Sequence, residues 1–103
     1  MATRKIVWTE TAAKQRKEIL NYWTSRNGSA SYAKKLVKLI AKRLKVILRH
    51  PESYKTTIYP ETKISAMGHF SILYKLTDDK LIVTAFWDNR RDPEKLLEII
   101  KPQ

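Results

Sequence analysis

The chain has 103 residues and a mass of 12.1 kDa; it is 43% hydrophobic and 30% charged, with a formal net charge of +11 and a pI near 10.0. This length and composition suit a single globular domain over residues 1–103 and exclude a disordered chain, no apolar run approaches the roughly 20 residues of a membrane helix, and the lack of cysteine excludes disulfides, thiolate zinc sites and cysteine nucleophiles. Residues 1–52 hold 13 basic and 3 acidic side chains, whereas residues 53–103 hold 8 and 7, so the N-terminal half is expected to meet an anionic partner.

Arg4 to Thr9 reads as a short strand through Ile6, Val7 and Trp8. Thr9 suits the N-cap of a helix from about Glu10 to Ser25, with Ala12, Ala13, Ile19, Leu20, Trp23 and the stem of Arg16 on its inner face. Asn27-Gly28 suits a left-handed stop. Ser29 or Ser31 then caps a second helix running to about Arg49. Its pattern is the cleanest in the chain: Ala33, Leu36, Val37, Ile40, Leu44, Ile47 and Leu48 fall in one arc about 120° wide, and Lys34, Lys35, Lys38, Lys42, Lys45 and Arg49 in the opposing arc. No acidic residue occurs between Ser29 and Arg49, so i, i+4 ion pairs cannot absorb the repulsion of that basic face. Pro51 ends the helix at His50.

Tyr54–Tyr59 reads as strand or loop, interrupted by Pro60, and Thr62–Ala66 as a strand. Phe70, Ile72, Tyr74 and Leu76 alternate along a clear strand after Gly68. Thr77-Asp78-Asp79-Lys80 is a hairpin loop, and Leu81–Trp87 a returning strand, apolar enough to be central. Asp92 and Pro93 open a short C-terminal helix with Leu96, Leu97, Ile99 and Ile100 on one face. The expected fold is α+β: an N-terminal strand, a two-helix hairpin packed on a small, mainly antiparallel sheet, and a short C-terminal helix.

Four stretches give the chain its resemblance to a known family. They are Val7-Trp8-Thr9-Glu10 with Ala12; Ile19 with Tyr22-Trp23; Tyr32-Ala33 with Leu36; and Phe70–Tyr74 together with Phe86–Leu96. With the length and charge, these resemble the RelE/ParE toxins of bacterial type II toxin–antitoxin modules over nearly the whole chain. The resemblance implies a growth-inhibiting toxin neutralised by a cognate antitoxin. It leaves two activities open: ribosome-dependent cleavage of mRNA without a metal ion, as in RelE-like members, or inhibition of DNA gyrase, as in ParE-like members. A third reading is a non-toxic relative that binds nucleic acid or protein.

Cleavage without a metal needs a proton acceptor for the 2′-hydroxyl, a donor for the leaving oxygen, and cations on the phosphorane. By resemblance Arg90 matches the arginine after the last strand, and Arg91 is its neighbour. Lys63 lies near the position of a sheet lysine, and His69 is a candidate acid or base. Tyr74 and Asp88 are further candidates, with Tyr74 expected in the core. Ser71 stands where RelE-like enzymes carry a second sheet arginine, and Leu96 where their C-terminal aromatic residue lies. The ribonuclease set is therefore incomplete, which favours the ParE-like reading. Lys34, Lys38, Lys42, Lys45 and Arg49 are the expected contacts to an anionic partner. Trp8, Trp23 and Trp87 are expected in the core. No metal or cofactor is expected, no membrane contact, and, with no apolar segment following the basic N-terminus, a cytoplasmic location.

Overall fold

In a computed structural model that describes residues 4–51, 55–56 and 61–90, the chain runs β1 (Lys5–Trp8), α1 (Glu10–Asn27), α2 (Ser31–Arg49), β2 (Lys55–Thr56), β3 (Lys63–Met67), β4 (Phe70–Leu76) and β5 (Lys80–Asp88). The two helices cover one face of a five-stranded sheet of order β1-β5-β4-β3-β2. β1 pairs parallel with β5; the other three pairings are antiparallel. The expected C-terminal helix and most of Tyr54–Tyr59 lie outside the described residues.

Local chemistry sets the helix ends. The Thr9 hydroxyl accepts the Ala12 N–H at 3.1 Å, capping α1. At the other end Gly28 adopts φ 65°, and its N–H returns to the Ser25 carbonyl. α1 thus runs two residues past the expected Ser25, to the last residue before the glycine that can turn left-handed without a Cβ penalty. At the start of α2 the cap position falls on Ala30 and not on a serine. Ser29 acts from one residue earlier, its hydroxyl accepting the Ser31 N–H at 3.1 Å.

Ala33, Leu36, Ile40, Leu44 and Ile47 are the buried side of α2. They close on Ala12, Ile19, Phe70, Ile72, Tyr74, Leu81, Val83 and Phe86, which form one core with them. Val37, expected in this arc, is 48% exposed. It sits about 60° from the centre of the buried stripe and faces a groove beside β1 instead of the sheet. Trp8 and Trp23 are only partly buried at the margin of the core.

β5 holds the irregularity that organises the functional end of the molecule. Leu73 pairs with Ala85 but Tyr74 pairs with Val83, so Thr84 is an extra residue. A bulge of this kind exchanges the faces of everything beyond it. Val83 and Phe86, three residues apart, therefore both point into the helix-facing core. Asp88, opposite Phe70, follows Phe86 onto that face. β1 stops at the Trp8–Val83 pair, so the distal part of β5 has no strand on that side. Gln15 of α1 takes its place: its side-chain oxygen accepts the Phe86 N–H at 2.9 Å. The hairpin loop is Thr77–Asp79, one residue shorter than expected, because Lys80 already accepts the Thr77 N–H at its carbonyl (2.9 Å) and gives its own N–H to the Thr77 hydroxyl (3.0 Å).

Two outcomes follow in equilibrium unfolding. Leu36→Ala should cost about 2–5 kcal/mol through lost burial and a cavity, whereas Val37→Ala should stay within about 0.5 kcal/mol. Gln15→Leu should cost about 1–3 kcal/mol by orphaning the Phe86 N–H; a neutral effect would show that water satisfies that group.

Candidate functional site

Several elements converge at the distal end of β5. The C-terminal half of α1 contributes Ile19, Tyr22, Trp23 and Arg26, the end of β5 contributes Asp88, and the turn after it contributes Arg90; together they line a cleft of about 420 Å³. Phe70 of β4 and Tyr32 of α2 adjoin it through ring contacts to Arg90 and Trp23. Tyr22 and Tyr32 each meet Trp23 edge to face, with ring centroids 5.2 Å away. Such T-shaped pairs match the positive edge of one ring to the negative face of the other.

Arg90 is held along one edge by Asp88 and against the rings of Trp23 and Phe70. Its Nε donates to Asp88 Oδ1 and its Nη2 to Asp88 Oδ2, both at 2.8 Å, and its backbone N–H also donates to Oδ1 at 3.0 Å. The guanidinium lies 4.5 Å from the Trp23 ring centroid and 5.5 Å from that of Phe70. This is the planar fork that arginine offers a carboxylate, combined with stacking. The bonds to Asp88 raise the Arg90 pKa above its ordinary value, outweighing the lowering effect of burial. Asp88 is 5% exposed and keeps one carboxylate against the arginine's fork. Arg26 is different: it donates to the Tyr22 hydroxyl at 3.0 Å and lies 5.7 Å from the Trp23 centroid, and it has no carboxylate partner among the described residues. The cleft can therefore receive an anionic or planar group at Arg26, while the charge of Arg90 is already met.

The other candidates do not join this cleft. His69 is exposed in the β3–β4 turn. Its carbonyl accepts the Asn89 N–H at 2.7 Å, which places its backbone at the same end of the sheet. Lys63 pairs with Tyr74, at the other end of β3 from the Met67–Phe70 pair. Four residues of strand, about 13 Å, separate it from the Arg90 end, and it lines a separate hollow with Glu61 and Lys75. Arg91 lies outside the described residues. Ser71 donates to Asn89 Oδ1 at 2.8 Å, so a buried hydrogen bond stands at the place of a second sheet cation. Tyr74 is fully buried, as expected. Sequence reasoning passed over Tyr22 and Arg26 as cleft residues; their i, i+4 spacing on α1 with Trp23 between them was the available signal.

Two further surfaces are defined by α2. Lys34, Lys35, Lys38, Lys42, Lys45 and Arg49 are all exposed. On one shoulder of that basic face, Val37, Ile40, Ala41 and Leu44 meet Ile6 and Trp8 of β1 and Leu20 of α1 around an apolar groove of about 520 Å³. Arg16 and Lys45 form its rim, with the Arg16 guanidinium stacked 4.1 Å from the Trp8 ring. β1 is the edge of the sheet, and Ile6 and Val7 on it are 39% and 38% exposed.

Residues 6–93 match the family model described as the ParE toxin of type II toxin–antitoxin system, parDE. Among solved structures, the chain is similar to one from the chromosomal ParDE toxin–antitoxin system of P. aeruginosa. That match has a TM-score of 0.70 at 16% identity and covers 82% of this chain and 94% of that one. It is also similar to the YoeB dimer of Staphylococcus aureus, with a TM-score of 0.57 at 17% identity over the same shares. No individual curated protein matches by sequence. Both structural likenesses speak for the fold.

A double-mutant cycle tests the central pair of the cleft. Arg90→Ala should cost about 1–3 kcal/mol by removing two charge-assisted hydrogen bonds from a buried carboxylate. Asp88→Asn combined with Arg90→Ala should cost measurably less than the sum of the singles, with a coupling of at least about 0.5 kcal/mol. Additive losses would mean that the two side chains do not support each other in solution.

Proposed function

Because the chain belongs to the ParE toxin family of type II toxin–antitoxin systems, we propose that it arrests growth in the ParE-like manner, by engaging DNA gyrase, and not by cutting mRNA. One observation carries this reading: Asp88 holds the Nε–Nη2 edge of the arginine after the last strand in two hydrogen bonds. A guanidinium that met a phosphorane side-on would use those same Nε and Nη2 donors. Here they would have to leave a buried carboxylate first, with the loss of two charge-assisted bonds. Ser71 adds support, since a hydroxyl bonded to Asn89 cannot supply the second positive charge. The wide separation of Lys63 from Arg90 keeps the sheet lysine away from the arginine after the last strand. The alternative, a ribosome-directed endonuclease, draws its support from the basic face of α2, which suits RNA phosphate.

The cognate antitoxin is read as docking in the groove between β1 and α2. A partner segment there would bury Ile6 and Val37, which are half-exposed apolar side chains, and meet Arg16 and Lys45 at the rim. An amphipathic segment with acidic flanks fits both features, and the open edge of β1 offers backbone groups to an added strand.

The purified toxin should inhibit supercoiling by gyrase and yield no defined mRNA fragments on translating ribosomes; fragments that vanish in Arg90→Ala would reverse the assignment. Val37→Glu should weaken antitoxin binding at least about tenfold, or 1.4 kcal/mol, read by calorimetry, while leaving the gyrase effect in place. Binding of the wild-type pair should weaken as salt is added if the rim charges contribute.

A further inference from the structure

The outer face of α2 takes no part in the cleft and meets the groove only at Lys45 on its rim. Lys34, Lys35, Lys38, Lys42, Lys45 and Arg49 lie in an arc about 100° wide opposite the buried stripe. None has an ion-pair partner among the described residues. No acidic side chain occurs anywhere between Ser29 and Arg49. The helix tolerates this repulsion because its other face is buried at Leu36, Ile40, Leu44 and Ile47. Packing alone asks for nothing more than a polar face there; a mixture of glutamate and lysine would satisfy it and add i, i+4 attraction.

We propose that this ridge docks duplex DNA through its backbone phosphates, without reading base sequence. From Lys34 to Arg49 the ridge runs about 22 Å along a straight helix. Duplex DNA offers one negative charge per roughly 1.7 Å of its axis, a continuous complement to such a row. The crest carries no aromatic side chain, and binders of single strands rely on stacking platforms. An acidic protein segment needs apolar anchors for affinity; the groove lies on one flank of the crest and the exposed Leu39 and Val46 on the other, while the crest itself carries none. The crest from Lys34 to Lys42 and the groove are therefore separate surfaces, and DNA binding rests on neither the choice of cellular target nor the place of the antitoxin.

The test is fluorescence anisotropy of the full chain with a mixed-sequence DNA duplex of about two helical turns, titrated between about 50 and 200 mM salt. The duplex and a scrambled one should bind equally, and affinity should fall steeply with salt. The triple variant Lys34→Gln, Lys38→Gln, Lys42→Gln should flatten the slope of log K against log salt by about 2.7, or 0.9 for each phosphate no longer neutralised. Glutamine keeps the helix propensity, and removing like charges relieves repulsion, so the fold should stand; circular dichroism checks this. Val37→Asn in the groove should leave duplex binding unchanged. The proposal is overturned if the triple variant keeps the wild-type slope, if Val37→Asn abolishes duplex binding, or if polyglutamate, a single strand or an RNA duplex binds more than about tenfold tighter, a gap of 1.4 kcal/mol. Loss of DNA binding leaves the gyrase reading standing, and tighter binding of an RNA duplex would favour the ribosome-directed alternative, so the two readings fail separately.

Discussion

The extra residue at Thr84 is the constraint on which the functional end of this fold depends. Before it, Leu81 and Val83 face the helices; after it, Phe86 and Asp88 do. Strict alternation would instead turn Ala85 and Trp87 toward α1 and send the Asp88 carboxylate to the opposite face. The bulge thus delivers a carboxylate to the same side of the sheet as Trp23 and Arg26, where the turn after β5 can fold Arg90 back on it. α1 secures this arrangement twice, through the Thr9 N–H on the Val83 carbonyl at 3.0 Å and through Gln15 on the Phe86 N–H. A helix thereby completes the hydrogen bonding of a strand whose neighbour has ended.

The resulting cleft is an aromatic cluster with two guanidinium groups in different electrostatic states. Arg90 is paired with a carboxylate, oriented and stacked; Arg26 donates to a phenol and has no carboxylate partner among the described residues. Pairing with a buried carboxylate gives rigidity at the expense of availability. In a family whose fold hosts more than one activity, that difference matters more than the presence of an arginine at a given place in the chain. A motif reads the residue type; only the partner of its donors says what the residue is free to do.

α2 divides its work by angle. The centre of its apolar stripe closes the core, the margin at Val37 and Ala41 opens on the groove beside β1, and the lysine crest faces solvent. Three surfaces on one helix are possible because, at about 100° per residue, Val37 falls about 60° from the centre of the buried stripe while the lysines fall opposite it. Among the described residues no helix is long and apolar enough to cross a membrane, and the apolar margin of α2 is a strip, not a span.

Much of this was legible in the residues themselves. The Thr9 cap, the Gly28 stop, the 3.6-residue stripe of α2 and the alternation of Phe70, Ile72 and Tyr74 are local signals, and each placed its element to within a residue or two. The charge segregation, the RelE/ParE resemblance and the place of Arg90 just after the last strand were equally readable, because they depend on residue identity and order. Tertiary structure alone decided three things: that β1 runs parallel to β5, that Val37 borders a groove, and that Arg90 is spent on Asp88. The physical reason lies in β5. Leu81–Trp87 is so uniformly apolar that either face could be buried, so sequence contains no alternation from which a bulge at Thr84 can be seen. Which side chains share a face, and hence which charges meet, was settled only when β4 fixed the register on one edge and α1 filled the other.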